Sequence, residues 1–156
     1  TVGLTPATFQ QINREIAEQA IANGFSAVVL MGDHGGGQVQ LAELAKELDA
    51  KYSPSGVRIV YCDDVYKKSN EAFDAYIESK GLSPGGHASV NDTSEMLFLE
   101  PSRNAWVRRE KLPEAFGAQN GVSGDGRKAS AQIGKVGYEM HVDQAVAQIQ
   151  QLLGAK

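Results

Sequence analysis

Two short stretches of the chain hold residue types that do chemistry. In Gly32-Asp33-His34-Gly35-Gly36-Gly37-Gln38 a carboxylate and an imidazole sit side by side among four glycines, which let backbone approach a ligand closely. A neutral imidazole beside a carboxylate suits a metal ion or a proton transfer. The stretch is no phosphate loop: the Lys-Ser/Thr ending of a Walker motif is missing, Gln40 breaks a G-x-G-x-x-G register, and Asp33 would repel a phosphate. The plain alternative is a tight turn in which Asp33 and His34 only satisfy backbone groups. The second stretch is Gly85-Gly86-His87-Ala88-Ser89-Val90-Asn91-Asp92-Thr93-Ser94. His87 lies in a loop leading to a helix N-terminus, whose N–H groups favour anions, and an imidazole titrating near neutrality can act as general acid or base. Its plain alternative is a solvated loop histidine, with Asp92 only capping the helix.

Other candidates are weaker. Glu139 and Asp143 share one face of the last predicted helix, but His141 lies about 200° round from each, so the three do not converge. No H-E-x-x-H is present, and His141 reads as a surface residue. Asp63 and Asp64 follow a predicted strand and read as a solvated turn near the sheet's carboxyl edge. Trp106 beside Arg103, Arg108 and Arg109 could stack on a nucleobase, yet one aromatic among three arginines more often anchors an interface or helix packing.

The elements that must position these residues alternate between helical and extended patterns, which is α/β writing. Thr5 as cap, Pro6 at the first helical position and Gly24 as stop bound a helix over about 6–22, with Phe9, Ile12, Ile16 and Ala20 as its apolar stripe. Ser26 to Met31 and Val57 to Cys62 read as parallel strands, with a helix between them marked by Leu41, Leu44, Ala45 and Leu48. Ser69 is the expected cap of a helix carrying Phe73, Tyr76 and Ile77. A short helix is expected from about Asp92 to Leu99, and a last one over 130–153 with Val136, Met140, Val146, Ile149 and Leu153 on one face. Two strands are too few for a stable open sheet, so the chain is expected to dock on strands it does not contain.

Composition sets the outer bounds. The 156 residues fit one domain with a real core, and 15 Lys plus Arg against 19 Asp plus Glu give a net charge of −4. Nothing in that balance favours nucleic acid or an anionic membrane. Ala27 to Met31 is the longest apolar run, far below the roughly 20 residues of a bilayer crossing. The lone Cys62 cannot close a disulfide within the chain and leaves the compartment undetermined.

Taken together these segments resemble the creatininase (creatinine amidohydrolase) family. Its members show a first helix ending in Gly-Phe, a buried strand and a turn reading Asn-Gly-His-Gly-Gly-Asn. Here Gly24-Phe25, Ala27 to Met31 and Gly32-Asp33-His34-Gly35-Gly36-Gly37 take those places. The later family signature, His-Ala-Gly, two variable residues, Glu-Thr-Ser and then Met-Leu, is similar to His87-Ala88-Ser89-Val90-Asn91-Asp92-Thr93-Ser94 with Met96-Leu97. A third block is Gly121-Val122-Ser123-Gly124-Asp125, followed by Arg127 and Ala129-Ser130.

The resemblance implies a three-layer α/β/α sandwich with a mostly parallel sheet, assembled as a homohexamer or other homo-oligomer. It also implies metal-dependent hydrolysis of a C–N bond in a small cyclic or linear amide, with zinc as the expected ion and manganese or iron as alternatives. His34 falls on the metal-ligand histidine, with Asp33 beside it, and His87 on the acid–base histidine. Asp92 replaces the Glu of the second signature, one methylene shorter, and Gly36 stands where creatininase itself has a ligand Glu. The family's early strand, Glu-x-His segment and Asp have no counterpart here, so the chain reads as the C-terminal portion of the domain, residues 1–156, requiring an N-terminal fragment of the same domain as partner. Two alternatives stay open. Thr1 at a cleaved terminus could be a nucleophile with its own amine as base, or the chain could be a non-catalytic binding subunit on this scaffold.

Overall fold

The computed structural model describes residues 3–100, 106–112 and 117–154, and it has an α/β architecture with a parallel sheet. The described residues gather into two compact units, 3–67 with 144–154, and 68–143.

The first unit begins with α1 (Pro6–Ala22). Thr5 caps it by accepting the Thr8 N–H at 3.2 Å, and Pro6 takes a position where a missing N–H is no loss. At the far end Gly24 and Phe25 return their N–H groups to Ile21 and Ala20, a Schellman closure. β1 (Ala27–Met31) and β2 (Arg58–Cys62) pair in parallel register from Ala27↔Arg58 to Met31↔Cys62, and α2 (Gln38–Tyr52) links them. Side chains divide by alternation along the strands. Val28, Leu30, Ile59 and Tyr61 join Ala17, Leu41, Leu44 and Leu48 in one cluster, while Val29 and Cys62 join Val65, Ala145 and Ile149 in another. The last two belong to α5 (Ala131–Leu153), so helices cover both faces of this sheet, the expected three-layer order. Leu44 and Leu48 are fully buried and each contributes about 2 kcal/mol of burial energy.

A ladder with a constant offset joins α1 to α2. Gln10 Nε2 donates to Glu43, Arg14 forms a two-pronged pair with Glu47 at 2.6 Å, and Lys51 Nζ donates to Glu18 at 2.8 Å. The apolar stripe expected on α1 is only partly the packed one. Phe9, Ala17 and Ile21 face the core, whereas Ile12 and Ile16 are exposed, Ile16 by 65%.

In the second unit α3 (Lys67–Ser79), α4 (Val90–Leu99) and the start of α5 enclose Phe73, Ile77, Val90, Leu97, Val107 and Ala129. Two of the sequence expectations are corrected in these helices. α3 starts two residues before Ser69, because the Asp63 carbonyl accepts the N–H groups of Tyr66 and Lys67 and turns the chain directly into the helix. Ser69 is consequently buried inside α3 instead of capping it. The spacing places His141 on the surface, but its ring is buried, with Nδ1 3.2 Å from Ser69 Oγ and Nε2 3.3 Å from a Glu95 carboxylate oxygen. Glu139, Asp143 and Val146 face outward, and the inward stripe of α5 runs through Gly134, Gly137, His141 and Ala145. Among the described residues no helix is long and apolar enough to cross a membrane.

Contact at that stripe is close, with backbone at Gly134 and with side chains at Gly137. A Cβ at Gly134 would lie 1.9 Å from the Ser94 carbonyl oxygen, and one at Gly137 2.4 Å from the Phe73 ring. Gly134→Ala is therefore expected to destabilise the protein by about 1–3 kcal/mol despite its better helix propensity, read as a lower denaturant midpoint. An unchanged or raised midpoint would show that α5 does not press on α4 in this way. A second prediction concerns Asp63, whose carboxylate accepts from Lys67 Nζ at 2.7 Å and Gln148 Nε2 at 2.6 Å. Those bonds, Lys67 foremost, hold its pKa below the ordinary value. A depressed folded pKa adds stability above the unfolded value, about 3.9, and that stability disappears as pH falls through the folded pKa. The penalty of Asp63→Asn in urea titrations is expected to be full near about pH 7 and to shrink below about pH 3.

Candidate functional site

In the first unit the turn 32–37 leaves the carboxyl end of β1, where open parallel sheets place ligands. Gln38, the first residue of α2, fixes its shape. Its Nε2 donates to the carbonyls of Gly32 at 2.8 Å and His34 at 2.5 Å, and its Oε1 accepts from the Tyr61 hydroxyl on β2. One side-chain amide thus ties the first half of the glycine turn to the neighbouring strand. Asp33 and His34 are exposed, and the imidazole lies over Gly36, where a Cβ would come 3.1 Å from Nε2. A side chain at position 36 would start against the ring, so glycine leaves the face of His34 clear. Asp63 and Asp64 follow β2, but Asp63 is engaged by Lys67 and Gln148, and Asp64 is buried with its N–H on Gln148 Oε1. They form part of a closed turn, against the solvated turn expected. Among the described residues no three His, Cys, Asp or Glu side chains converge as a group that could hold a metal ion.

The second unit holds the His87 loop, with both His87 and Asp92 exposed. α4 begins at Val90, capped by Ser89, whose Oγ accepts the Asn91 N–H at 3.2 Å. Asp92, Thr93 and Ser94, the expected cap candidates, lie inside the helix. Asp92 reaches back instead, accepting the Ala88 N–H at 2.7 Å. Ala88 needs that support because it is a non-glycine residue with positive φ, 47°, a conformation costing about 1–2 kcal/mol. Ser123 secures the other side: its Oγ accepts the His87 N–H at 2.7 Å and its N–H donates to the His87 carbonyl at 2.9 Å. Close approach completes the lock. A Cβ at Gly85 would lie 2.4 Å from the Ser123 carbonyl oxygen, and one at Gly124 2.7 Å from the Ser89 Cβ. Ser94, fully buried, accepts the Ser130 N–H at 3.2 Å.

The two sequence blocks around His87 and Ser123 are therefore one interlocked structure. It presents the His87 backbone in a fixed place, and Asp92 acts as a positioning residue. Ser89, Ala88 and Ser123 carry this geometry, and Gln38 that of the His34 turn, without having been expected to. Ser89 had a readable signal as a cap-type residue three before Asp92, and Ser123 stood in the third family-like block. His34 and Asp33 sit together on one turn, and His87 and Asp92 share one loop. Thr1 lies outside the described residues.

Comparison with known proteins adds independent information. The family model for creatininase, described as creatinine amidohydrolase, matches residues 1–149. No curated protein sequence matches. Among solved structures, a creatininase mutant complexed with creatine is 19% identical with a TM-score of 0.73, and a creatininase with Mn is 20% identical with a TM-score of 0.72. A creatininase mutant of Zn-Zn type is 19% identical with a TM-score of 0.72. In each case the match covers 97% of this chain and 66% of the other, so the chain spans just under two thirds of the length of those proteins.

The Ala88–Asp92 contact makes a paired prediction. Asp92→Ala removes the acceptor that holds Ala88 in the left-handed region and is expected to cost about 0.5–2 kcal/mol. Ala88→Gly relieves the strain and is expected to be neutral or stabilising by up to about 1 kcal/mol. Thermal denaturation of both variants checks this, and a destabilised Ala88→Gly would contradict the backbone described.

Proposed function

The chain belongs to the creatininase family, and from that premise we propose that it forms part of a metal-dependent amidohydrolase. Its substrate would be a small cyclic or linear amide, cleaved at a C–N bond. The observation that carries the reading is the exposed His34 imidazole at the mouth of β1, on a turn fixed by Gln38 and left clear by Gly36. A divalent ion is the group for that place, zinc first, with manganese or iron as alternatives.

His34 and Asp33 supply at most two donors, whereas a catalytic zinc takes about three protein ligands. The described residues therefore do not complete a metal shell by themselves. We assign the remaining donors to a segment of the same domain outside these 156 residues. Three features support such a partner: the 66% share of the solved creatininases, a sheet with two strands among the described residues, and the uncovered Ile12 and Ile16 of α1. Amide hydrolysis also needs a proton delivered to the leaving nitrogen, which an exposed imidazole can provide near neutral pH. His87 takes that role, with Asp92 and Ser123 holding its loop.

Metal affinity and turnover separate the roles when measured on the chain together with its partner segment. His34→Ala is expected to weaken zinc or manganese binding by more than about 10-fold and to abolish hydrolysis. His87→Ala is expected to keep the metal and lose about 100-fold or more in turnover. Metal binding untouched by His34→Ala would overturn the assignment. Turnover that survives His34→Ala but vanishes in Thr1→Ala would point to the terminal threonine as nucleophile, and absence of hydrolysis in every preparation would leave a binding subunit.

A further inference from the structure

Beside the His87 loop the second unit holds an open cavity of about 620 Å³. Its apolar surface comes from Met96, Val107, Leu112 and Val122, and Trp106 stands at it with 56% of its surface exposed. Arg108 and Lys111 line it as well. The turn Arg109–Lys111 is a 3-10 helix, closed by the Lys111 N–H on the Arg108 carbonyl at 2.9 Å. Arg108 precedes this turn and Lys111 ends it, and both line the cavity. Among the described residues no carboxylate pairs with either of them. Asp92 is the acidic residue of the lining, and its carboxylate is engaged by the Ala88 N–H. Among the described lining residues two cations stand against one carboxylate, in a chain whose net charge is −4.

Like charges lining one cavity repel, and an exposed indole above an apolar floor forgoes burial. One kind of occupant relieves both. A planar ring stacks on Trp106 and covers Met96 and Val122, while an attached oxyanion sits between Arg108 and Lys111. The guanidinium fork suits a carboxylate or phosphate in two-pronged geometry. We propose that this cavity is a binding site for a small molecule that joins a planar ring to a carboxylate or phosphate. The site needs neither a metal nor the hydrolytic reading, and its test is a binding measurement.

Trp106 is the only tryptophan in the chain, so its emission reports on this cavity alone. Benzoate, phenyl phosphate, benzamide and acetate are titrated against the wild-type chain. Saturable change with benzoate or phenyl phosphate is expected, the tighter of the two naming the oxyanion. Benzamide, which lacks the charge, and acetate, which lacks the ring, are expected to bind about 10-fold more weakly or worse. Arg108→Ala with Lys111→Ala is expected to weaken the anionic probe by about 10-fold or more, with far-UV circular dichroism unchanged. By calorimetry, Trp106→Phe should retain the probe within a few-fold and Trp106→Ala should lose it. Benzamide binding as tightly as benzoate, no saturable change with either anion, or a double variant that binds like wild type would each overturn the proposal.

Discussion

A single backbone N–H, that of Ala88, decides the geometry of the loop that carries His87. It points at the Asp92 carboxylate one helical turn ahead, and the bond offsets the cost of a left-handed alanine. With that residue fixed, the preceding His87 is gripped by Ser123 through two further bonds, and α4 can begin at Ser89. The glycines at 85 and 124 follow from the same constraint, since the two loops touch where a Cβ would overlap its neighbour. The Asp92 carboxylate thus acts through the backbone, fixing the residue that follows His87.

The first unit solves the corresponding problem with a neutral group. An amide at Gln38 can donate and accept at once, so one side chain binds two turn carbonyls and the Tyr61 hydroxyl. A carboxylate there could not have donated, and a lysine could not have accepted. The consequence is an exposed histidine whose turn is tied to β2 and α2 through Gln38 and Tyr61.

Much of this was legible in the sequence, and for identifiable reasons. The bounds of α1 follow from Thr5, Pro6 and Gly24, whose backbone requirements are local. Both strands announced themselves as short apolar runs, each within one residue of its observed start. His34, Asp33, His87 and Asp92 stand out as candidates because glycine-rich turns at strand and helix ends are visible without tertiary information. What failed depended on packing. The inward face of α5 combines Gly134, Gly137 and Ala145 with Met140 and Ile149, so a search for large apolar residues found only part of the stripe and left His141 outside. Ser69 resembled a cap because serine usually is one, yet the turn at Asp63 had already started the helix. On α1, Ile12 and Ile16 satisfied the helical spacing, but only the Phe9, Ala17 and Ile21 side is covered in these residues.

The ladder between α1 and α2 has a further meaning. Gln10 with Glu43, Arg14 with Glu47 and Glu18 with Lys51 advance together along both helices, so the two axes run in the same direction. The Phe9 ring lies against Gly37, which brings both amino ends to one place. Each peptide column carries roughly half a positive charge at that end, and an anion near one gains about 0.3–1 kcal/mol. Side by side they repel, which the crossed charges of the ladder help to offset, and they concentrate their field around the turn that bears Asp33 and His34. Any negative group arriving at that turn meets two macrodipoles instead of one.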